Sequence, residues 1–211
     1  MNNAAMYRLS YGLFILTARE GERDNGCIIN TAEQVTIEPN CIAIAVNKSN
    51  LTHDMIQRTA KLTISVINEQ ADFSLFQRFG FQSGRNTNKF AGYSDCKRNA
   101  NGTMIVTEGT NAFISADVTS SMDLGTHTLF IAQVTDADIL NDIPSATYAY
   151  YQQHIKPKPD TAKAADTGKT IWRCTVCGYE YVGDVLPEDF ICPLCKHPAA
   201  DFERVSSSGH T

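Results

Sequence analysis

Residues 171–205 read IWRCTVCGYEYVGDVLPEDFICPLCKHPAADFERV and contain two C-x-x-C pairs, Cys174 with Cys177 and Cys192 with Cys195. Two such pairs can place four thiolates at the corners of a tetrahedron, a ligand set that selects zinc or iron over hard cations. A segment of about 35 residues cannot fold on the strength of its own apolar core. The sequence therefore predicts a small domain that a metal ion at these four cysteines stabilises.

The spacing of the two pairs leaves the metal open between zinc and iron. Fourteen residues separate Cys177 from Cys192, just below the usual range for zinc ribbons. The aromatic residues of the segment are Trp172, Tyr179, Tyr181, Phe190 and Phe202. They favour iron, because a dry shell lets backbone N–H groups turn towards the sulfurs and tune a reduction potential. We therefore expect iron, which transfers single electrons, with a structural zinc as the alternative.

The motifs C-T-V-C-G-Y-E-Y and C-P-L-C resemble rubredoxins, in the short form that lacks a central insertion and is fused to other redox domains. The resemblance implies one iron held by all four cysteines of the two pairs. Lys196 departs from the pattern, since rubredoxins usually carry glycine after the second pair. A side chain costs about 1 kcal/mol at that position if the backbone is left-handed. We therefore expect the second pair to be slightly strained or differently turned.

The segment before the metal region is predicted to be a linker. Residues 156–170 are polar, contain two prolines and nearly lack large apolar side chains, as is typical of connecting segments. A flexible chain of this length separates its ends by roughly 20 Å. We therefore expect one domain at 1–155 and a second at 171–205, with a linker that lets the second domain swing.

Residues 1–155 are predicted to be mainly β. The short β-rich runs, each bounded by turn residues, are 13–17, 41–46, 62–67, 112–118 and 128–134. Two helices are expected between them, at 51–59 with Asn50 or Ser49 as the N-cap and at 72–79. Many short strands with few helices favour an antiparallel barrel.

Two segments of this barrel have the residue types of a ligand site. Residues 24–31, DNGCIINT, contain an Asn-Gly pair, which predicts a turn that leads into a strand. Residues 47–53, NKSNLTH, precede a helix, whose first N–H groups and positive dipole end attract anions. Lys48, Ser49 and Thr52 add a charge and two hydroxyls, so this segment predicts a phosphate site. Taken alone, the first segment is also explained as a hairpin turn and the second as a capped helix.

The order YGLFILTA, DNGCIINTAEQVTIEPNCIAIAVNKSNLTHDMI, LFQRFGFQSGRNTNKF and SMDLGTHTLFIAQV resembles the flavin reductase-like family of FMN-binding split barrels, over nearly all of residues 5–150. The resemblance implies that residues 25–31 line the isoalloxazine ring and that the second segment holds the FMN phosphate. It also implies a homodimer with the flavin near the interface. The predicted cofactor-binding residues are Asn25, Gly26, Cys27, Ile28, Asn30, Thr31, Asn47, Lys48, Ser49 and Thr52.

His127, in the stretch GTHT, matches a recurrent histidine of that family near the flavin ring and is the predicted catalytic residue. Its alternative is a strand histidine bonded to a neighbouring backbone group. Cys27 has no resolving cysteine nearby, which favours a packing role over a nucleophilic one. Arg78 and Phe79 could shape the pocket, although a Phe-rich helix is more simply explained as core. No G-x-G-x-x-G follows a strand, so nicotinamide would stack on the flavin without a dinucleotide-binding fold.

The composition and charge of the chain indicate which kinds of partner and compartment to expect. The chain is 43% hydrophobic and 19% charged, and we expect neither a signal peptide nor a membrane span. Residues 171–205 carry three basic and six acidic side chains, which disfavours nucleic acid and favours a protein partner with a basic rim. Cys27, Cys41 and Cys96 have no evident disulfide partner, so a reducing cytoplasm is expected.

The fusion of the two patterns resembles the high-molecular-weight rubredoxins. The resemblance implies an oxidoreductase that passes electrons from NAD(P)H through FMN to the iron, and on to a flavodiiron protein that reduces oxygen or nitric oxide. Tethering raises the effective concentration of the second domain into the millimolar range. Two alternatives stay open: a flavin reductase that releases reduced FMN, and a non-catalytic FMN carrier with a structural zinc ribbon.

Overall fold

The computed structural model describes residues 5, 8–157, 170–175, 177–193 and 197–205. The chain divides into two compact units, Met1–Ile155 and Lys156–Thr211. Most of the predicted linker, residues 158–169, lies outside the described residues, so its flexibility and the proposed domain bounds stay predictions. Within the part of the chain that the structure describes, no helix combines the length and the apolar character needed to cross a membrane.

In the described part of the first unit, the framework consists of nine strands: β1 Phe14–Glu20, β2 Arg23–Ile29, β3 Ala32–Thr36, β4 Cys41–Asn47, β5 Lys61–Ile67, β6 Cys96–Arg98, β7 Met104–Val106, β8 Thr110–Asp123 and β9 His127–Ile139. Seven of them make one sheet in the order β2-β1-β5-β8-β9-β4-β3, and β6 pairs with β7. Every pairing is antiparallel. The expectation of a mainly β, antiparallel fold is confirmed.

One buried cluster extends across the large sheet. Cys27 and Ile29 of β2 belong to the same buried cluster as Ile42 and Ile44 of β4, although these strands lie near opposite edges of the sheet. The cluster continues through the strands between them, and Met55 and Ile56 of the helix between β4 and β5 belong to it, so this helix packs on the buried face of the sheet. The edge strands are β2 and β3.

The five strands expected from the sequence are present, and β8 and β9 are longer than expected. They pair over almost their whole lengths as a hairpin whose tip contains Gly125 in a left-handed conformation, with φ of 81°. β2 and β3 were missed because their sequences, RDNGCII and AEQVT, are polar or glycine-containing. They become strands by pairing with the apolar β1 and β4, since tertiary context overrides weak β-propensity.

The predicted turn at Asn25-Gly26 is wrong. Both residues lie inside β2, opposite Ala18 and Thr17 of β1, and Asn25 is only 2% exposed. The hairpin turns instead at Gly21, whose φ of 57° suits glycine. The pairing register of β1 with β2 sets the position of the turn. A turn at Asn25 would break the pairings that bury Cys27 and Ile29.

Two helices occupy the expected positions. α1 spans Leu51–Thr59, with Asn50 at its N-cap position but without a side-chain cap hydrogen bond, and Ala60 at its end is left-handed. α2 spans Phe73–Phe79, and Asp72 caps it by accepting a 2.8 Å hydrogen bond from the Ser74 N–H. A short helix, α3 Tyr148–Tyr150, and the π-helical turn Tyr151–Ile155 that follows were not predicted.

The Phe-rich α2 is part of a second buried cluster. Phe79 is 0% exposed and contacts the rings of Phe90 and Tyr93, with centroids 5.4 and 5.5 Å away. Phe76 stacks on Tyr151 at 4.3 Å. The core interpretation of this helix is therefore confirmed, and Phe79 is a packing residue.

The second unit contains a three-stranded sheet. Its strands are β10 Ile171–Cys174, β11 Glu180–Val182 and β12 Phe202–Val205, and β10 lies in the middle. The rings of Tyr179, Tyr181, Phe190 and Phe202 pack with centroid distances from 4.7 to 6.5 Å. Trp172 donates its indole N–H to the Gly183 carbonyl at 3.1 Å. The aromatic residues of the segment therefore form its small core.

Candidate functional site

Three of the four predicted metal ligands converge in the second unit. Cys174, Cys177 and Cys192 are buried, and their Sγ atoms all lie within 4.8 Å of one another. The Sγ atoms of Cys177 and Cys192 are 3.5 Å apart. Cys195 and Lys196 lie outside the described residues, so the fourth ligand and the strain expected at Lys196 stay predictions. A buried set of thiols fits a soft or borderline metal, which is the chemistry expected of iron or zinc.

The first cysteine pair is shaped by a tight turn. The Gly178 N–H donates to the Cys174 carbonyl at 2.9 Å, and the Cys174 N–H donates to the Tyr179 carbonyl at 2.8 Å. Gly178 has φ of 76°, a conformation that a residue with a Cβ seldom adopts. The second pair is anchored by the Cys192 N–H, which donates to the His197 carbonyl at 2.8 Å. The glycine after the first pair is therefore required by the backbone.

The structure joins the two predicted flavin segments through one buried hydrogen bond. The side-chain N–H of Asn25 on β2 donates to the Thr52 hydroxyl on α1 at 2.9 Å. Thr52 is fully buried and Asn25 nearly so. Two segments that lie 27 residues apart in the sequence therefore form one wall, in which the middle of β2 faces the first turn of α1.

The predicted phosphate segment lies beside the tip of the β8–β9 hairpin. The Lys48 N–H donates to the Thr126 carbonyl at 3.0 Å, and the Lys48 ammonium lies 2.6 Å from a carboxylate oxygen of Asp123. This lysine, together with the Gly125 N–H, holds the pKa of Asp123 below its ordinary value. Because the N-cap of α1 has no side-chain hydrogen bond, the helix start keeps its capacity for an anion.

His127 lies next to this segment, where it pairs with Asn47 across β9 and β4. Its Nδ1 is 2.9 Å from the Thr126 hydroxyl, so its described partner is a side chain and not the backbone group of the alternative explanation. The ring is half-buried. The structure therefore brings the predicted catalytic residue close to the predicted phosphate residues, while its catalytic role stays a prediction.

The remaining predicted cofactor-binding residues lie on β2, just after it, or around the turn between β4 and α1. The Thr31 hydroxyl donates to the Ala45 carbonyl at 2.9 Å, and the Ser49 N–H donates to the Asn47 side chain at 2.9 Å. Ile28 and Asn30 are half-buried, and Cys27 is buried in the core. Burial raises the pKa of the Cys27 thiol, which agrees with a packing role for this residue.

Sequence reasoning missed two cations at this wall. Lys89 is 3% exposed, and its ammonium donates to the carbonyls of Gly26 at 2.8 Å and Phe79 at 2.9 Å. Burial lowers its pKa, although the neighbouring Cys27 opposes the shift. Arg85 contacts Asp54 and the Ser49 carbonyl. Both residues belong to the quoted stretch LFQRFGFQSGRNTNKF, but in a sequence each is indistinguishable from a surface charge.

Both units of the chain match known protein families. Residues 6–159 match the flavin reductase like domain, and residues 172–203 match the rubrerythrin, rubredoxin-like domain. A putative flavin reductase from Haemophilus somnus has a similar solved structure, with a TM-score of 0.60 at 18% identity over 68% of this chain and 90% of its own. The chain is therefore a flavin reductase-like protein with an added rubredoxin-like domain.

Two relatives identify the family of the whole chain more specifically. The high molecular weight rubredoxin of Moorella thermoacetica is 38% identical over 97% of this chain and 100% of its own length. The ferric-chelate reductase (NAD(P)H) of Archaeoglobus fulgidus is 36% identical over 78% of this chain and 96% of its own. The chain belongs to the high-molecular-weight rubredoxin family, as its sequence resemblance indicated, and it is an oxidoreductase with a flavin and rubredoxin electron-transfer role.

Proposed function

We propose that this chain accepts hydride from NAD(P)H at FMN in the first unit and transfers electrons one at a time, through iron in the second, to a flavodiiron-type redox protein. The observation that carries the proposal is the presence, in one chain, of a flavin reductase-like unit and a buried cluster of thiols. FMN supplies the conversion between two-electron and one-electron chemistry, and iron held by thiolates accepts single electrons.

The residues of the first unit would bind and orient the flavin. The hydrogen bond between Asn25 and Thr52 fixes β2 against α1, and this wall would support the isoalloxazine ring. Lys48, Ser49 and the start of α1 would hold the phosphate, and His127 would contact the ring. Asn25, Thr52 and His127 lie on strands or a helix, whereas Lys48 and Ser49 lie in the turn between β4 and α1. The Lys48 N–H ties this turn to the Thr126 carbonyl, and such rigid surroundings suit a site that must orient a ring.

The second unit would carry the electron out of the molecule. Cys174, Cys177, Cys192 and Cys195 would each donate one thiolate to the iron. The segment before Cys192 contains the acidic Asp184, Glu188 and Asp189 without a basic residue between them. A docking partner with a basic surface would complement this segment.

A homodimer and a reducing compartment are parts of the same proposal. The edge strand β3 is exposed, and the side chains of Val35 and Ile37 are 48% and 81% exposed. Pairing of two copies would cover such an edge. Among the described residues, Cys27, Cys41 and Cys96 form no disulfide, which supports a cytoplasmic location.

The dependence on NAD(P)H is supported by the name of one relative, a ferric-chelate reductase (NAD(P)H). That name also favours a second candidate function, in which the first unit reduces flavin or a small acceptor by itself. In that case the second unit would be dispensable. A third hypothesis, an FMN carrier with structural zinc, requires zinc at the cysteines. Metal analysis of the purified protein separates it from the other two.

The test is a truncated protein that ends at Ile155, the last residue of the first unit. We expect it to bind FMN and to be reduced by NAD(P)H, because all the proposed flavin contacts lie in that unit. We expect it to lose electron transfer to a flavodiiron protein, measured as NAD(P)H-dependent oxygen or nitric oxide consumption. The second unit added back as a separate chain should restore only part of the rate, since the tether is gone. A truncated protein that works at the full-length rate would favour the second candidate function.

A further inference from the structure

Residues 83–87 form a short turn that lies across the predicted flavin wall and that the proposed function does not use. Backbone hydrogen bonds to the Ser83 carbonyl close the turn. Arg23 donates to the Gly84 carbonyl at 2.5 Å, and a Cβ at Gly84 would overlap the side chain of Asn25. This turn therefore packs directly on β2, at the residue that joins β2 to α1.

The turn carries Arg85 to the first turn of α1. The Arg85 Nη2 lies 2.8 Å from a carboxylate oxygen of Asp54, and its Nε lies 3.4 Å from the Ser49 carbonyl. A guanidinium has five N–H donors, and these contacts use two. The side chain is 47% exposed. Arg85 therefore keeps donors for a ligand beside Lys48 and the start of α1.

Buried groups orient the carboxylate that holds Arg85. The second oxygen of Asp54 is 3.0 Å from the Nδ1 of His53, and the Nε2 of His53 is 2.9 Å from the Thr128 hydroxyl. His53 and Thr128 are buried. The chain of contacts from Thr128 through His53 to Asp54 fixes one orientation of the carboxylate, and with it the direction of the guanidinium.

We infer that Arg85 is a specificity residue that recognises the terminal phosphate of the flavin, and that Thr128 and His53 position it through Asp54. The inference rests on the proposed FMN site. A phosphomonoester carries close to two negative charges at pH 7, and the planar fork of a guanidinium matches phosphate oxygens better than a lysine does. Riboflavin lacks this group, so Arg85 distinguishes FMN from riboflavin.

The test compares FMN with riboflavin on full-length protein freed of flavin, by flavin fluorescence titration. Arg85→Ala should raise the dissociation constant for FMN on the order of tenfold and leave that for riboflavin unchanged. The matched control is Arg58→Ala, since Arg58 pairs with Glu20 near the other end of α1 at 2.5 Å. The control should leave both constants unchanged.

The positioning part of the inference has its own variants. Thr128→Val removes the hydroxyl that contacts His53 and should weaken FMN binding roughly threefold without affecting riboflavin. Thr128→Ser restores a hydroxyl and should restore FMN affinity. A structural defect at this buried site would instead weaken both ligands, and that result would overturn the positioning role.

Two results would overturn the role of Arg85: unchanged FMN affinity in Arg85→Ala, or equal weakening of FMN and riboflavin. If the unmodified protein binds riboflavin as tightly as FMN, the proposed phosphate site and the inference are both wrong. If the protein prefers FMN and Arg85→Ala keeps that preference, only the inference fails. The electron-transfer proposal is then untouched, because the truncation at Ile155 tests it separately.

Discussion

At the scale of single residues, Asn25 shows how the site depends on contacts across the fold. The Asn-Gly pair that suggested a turn lies within a strand, and the Asn25 side chain donates to Thr52. Burial makes this bond consequential, since a buried amide without a partner costs about 1–3 kcal/mol. The hydrogen bond of Asn25 therefore fixes the distance between β2 and the start of α1.

Replacement of a single cysteine tests the metal centre. Cys177→Ala should abolish the iron colour and leave FMN bound, because the Cys177 Sγ belongs to the buried thiol cluster and the flavin site lies in the other unit. Visible absorption and metal analysis measure both outcomes. The control is Cys96→Ala, which changes a cysteine of the first unit and should retain both cofactors. Full iron content in the Cys177 variant would contradict the ligand assignment.

Replacement of Lys48 tests the phosphate site. Lys48→Ala should weaken FMN binding roughly tenfold, the lower end of what a charge-assisted hydrogen bond contributes, because its ammonium also pairs with Asp123 and its side chain is 36% exposed. Fluorescence titration of the flavin measures the constant. Lys61→Ala, a change of an exposed lysine at the start of β5, should have no effect. An unchanged affinity in the Lys48 variant would favour the alternative explanation, in which residues 47–53 are only the capped start of a helix.

At the scale of the elements, α2 shows how a local signal and a tertiary contact combine. Asp72 caps the helix from outside, while Phe76 and Phe79 anchor its inner face in the second cluster. The cap can be predicted from the sequence, because it involves only Asp72 and Ser74, which are close neighbours along the chain. The aromatic partners of the two phenylalanines cannot be predicted in the same way, since Tyr151 and Phe90 lie outside the helix and the fold brings them to it.

The cap of α2 leads to a prediction about pH. The Ser74 hydroxyl and N–H donate to Asp72 and hold its pKa below the ordinary value. Because the folded-state pKa is lowered, the stabilisation is complete above the unfolded value of about 3.9 and is lost as the pH falls through the folded value. Asp72→Ala should cost about 1 kcal/mol at neutral pH and less in acid.

Urea unfolding followed by far-UV circular dichroism at pH 7 and near pH 3.5 measures this difference. Asp72→Asn is the matched variant, because asparagine caps a helix without titrating. Relative to it, the aspartate should lose its advantage as the pH falls. A cost of Asp72→Ala that is identical at the two pH values would contradict the titrating cap.

At the scale of the whole molecule, the two units have different sources of stability. Both large buried clusters are built from residues of the first unit, between Leu13 and Ile155. The second unit has a three-stranded sheet, four packed rings and the thiol cluster. A fold this small depends on its metal, so the two units should respond differently when the metal is removed.

Removal of the iron with a chelator should unfold the second unit and spare the first. Trp172 is the single tryptophan of the chain and lies on β10, so its fluorescence reports the second unit alone. Its emission should shift to longer wavelength after chelation, while FMN binding and the thermal unfolding of the first unit stay unchanged. A tryptophan signal that is insensitive to chelation would show that the second unit folds without metal.

The sequence by itself determined the features that depend on local spacing. It gave the paired cysteines, the five apolar strands, helices α1 and α2 and the family resemblance, because C-x-x-C turns, short β-rich runs and caps are set by near neighbours. It also placed Lys48 and Thr52 at the start of a helix. These features need only the chain within a few residues of each position.

Only the tertiary structure decided how distant segments meet. Asn25 lies in β2 and not in the turn that the sequence predicts, because the pairing of β1 with β2 overrides the turn propensity of Asn-Gly. The tertiary structure also brought Arg85 and Lys89 to the predicted flavin wall, through contacts with Asp54 and the Gly26 carbonyl. The physical reason is that burial and long-range hydrogen bonds stabilise the positions of these three residues. Neither interaction produces a periodic pattern in the sequence from which it could be predicted.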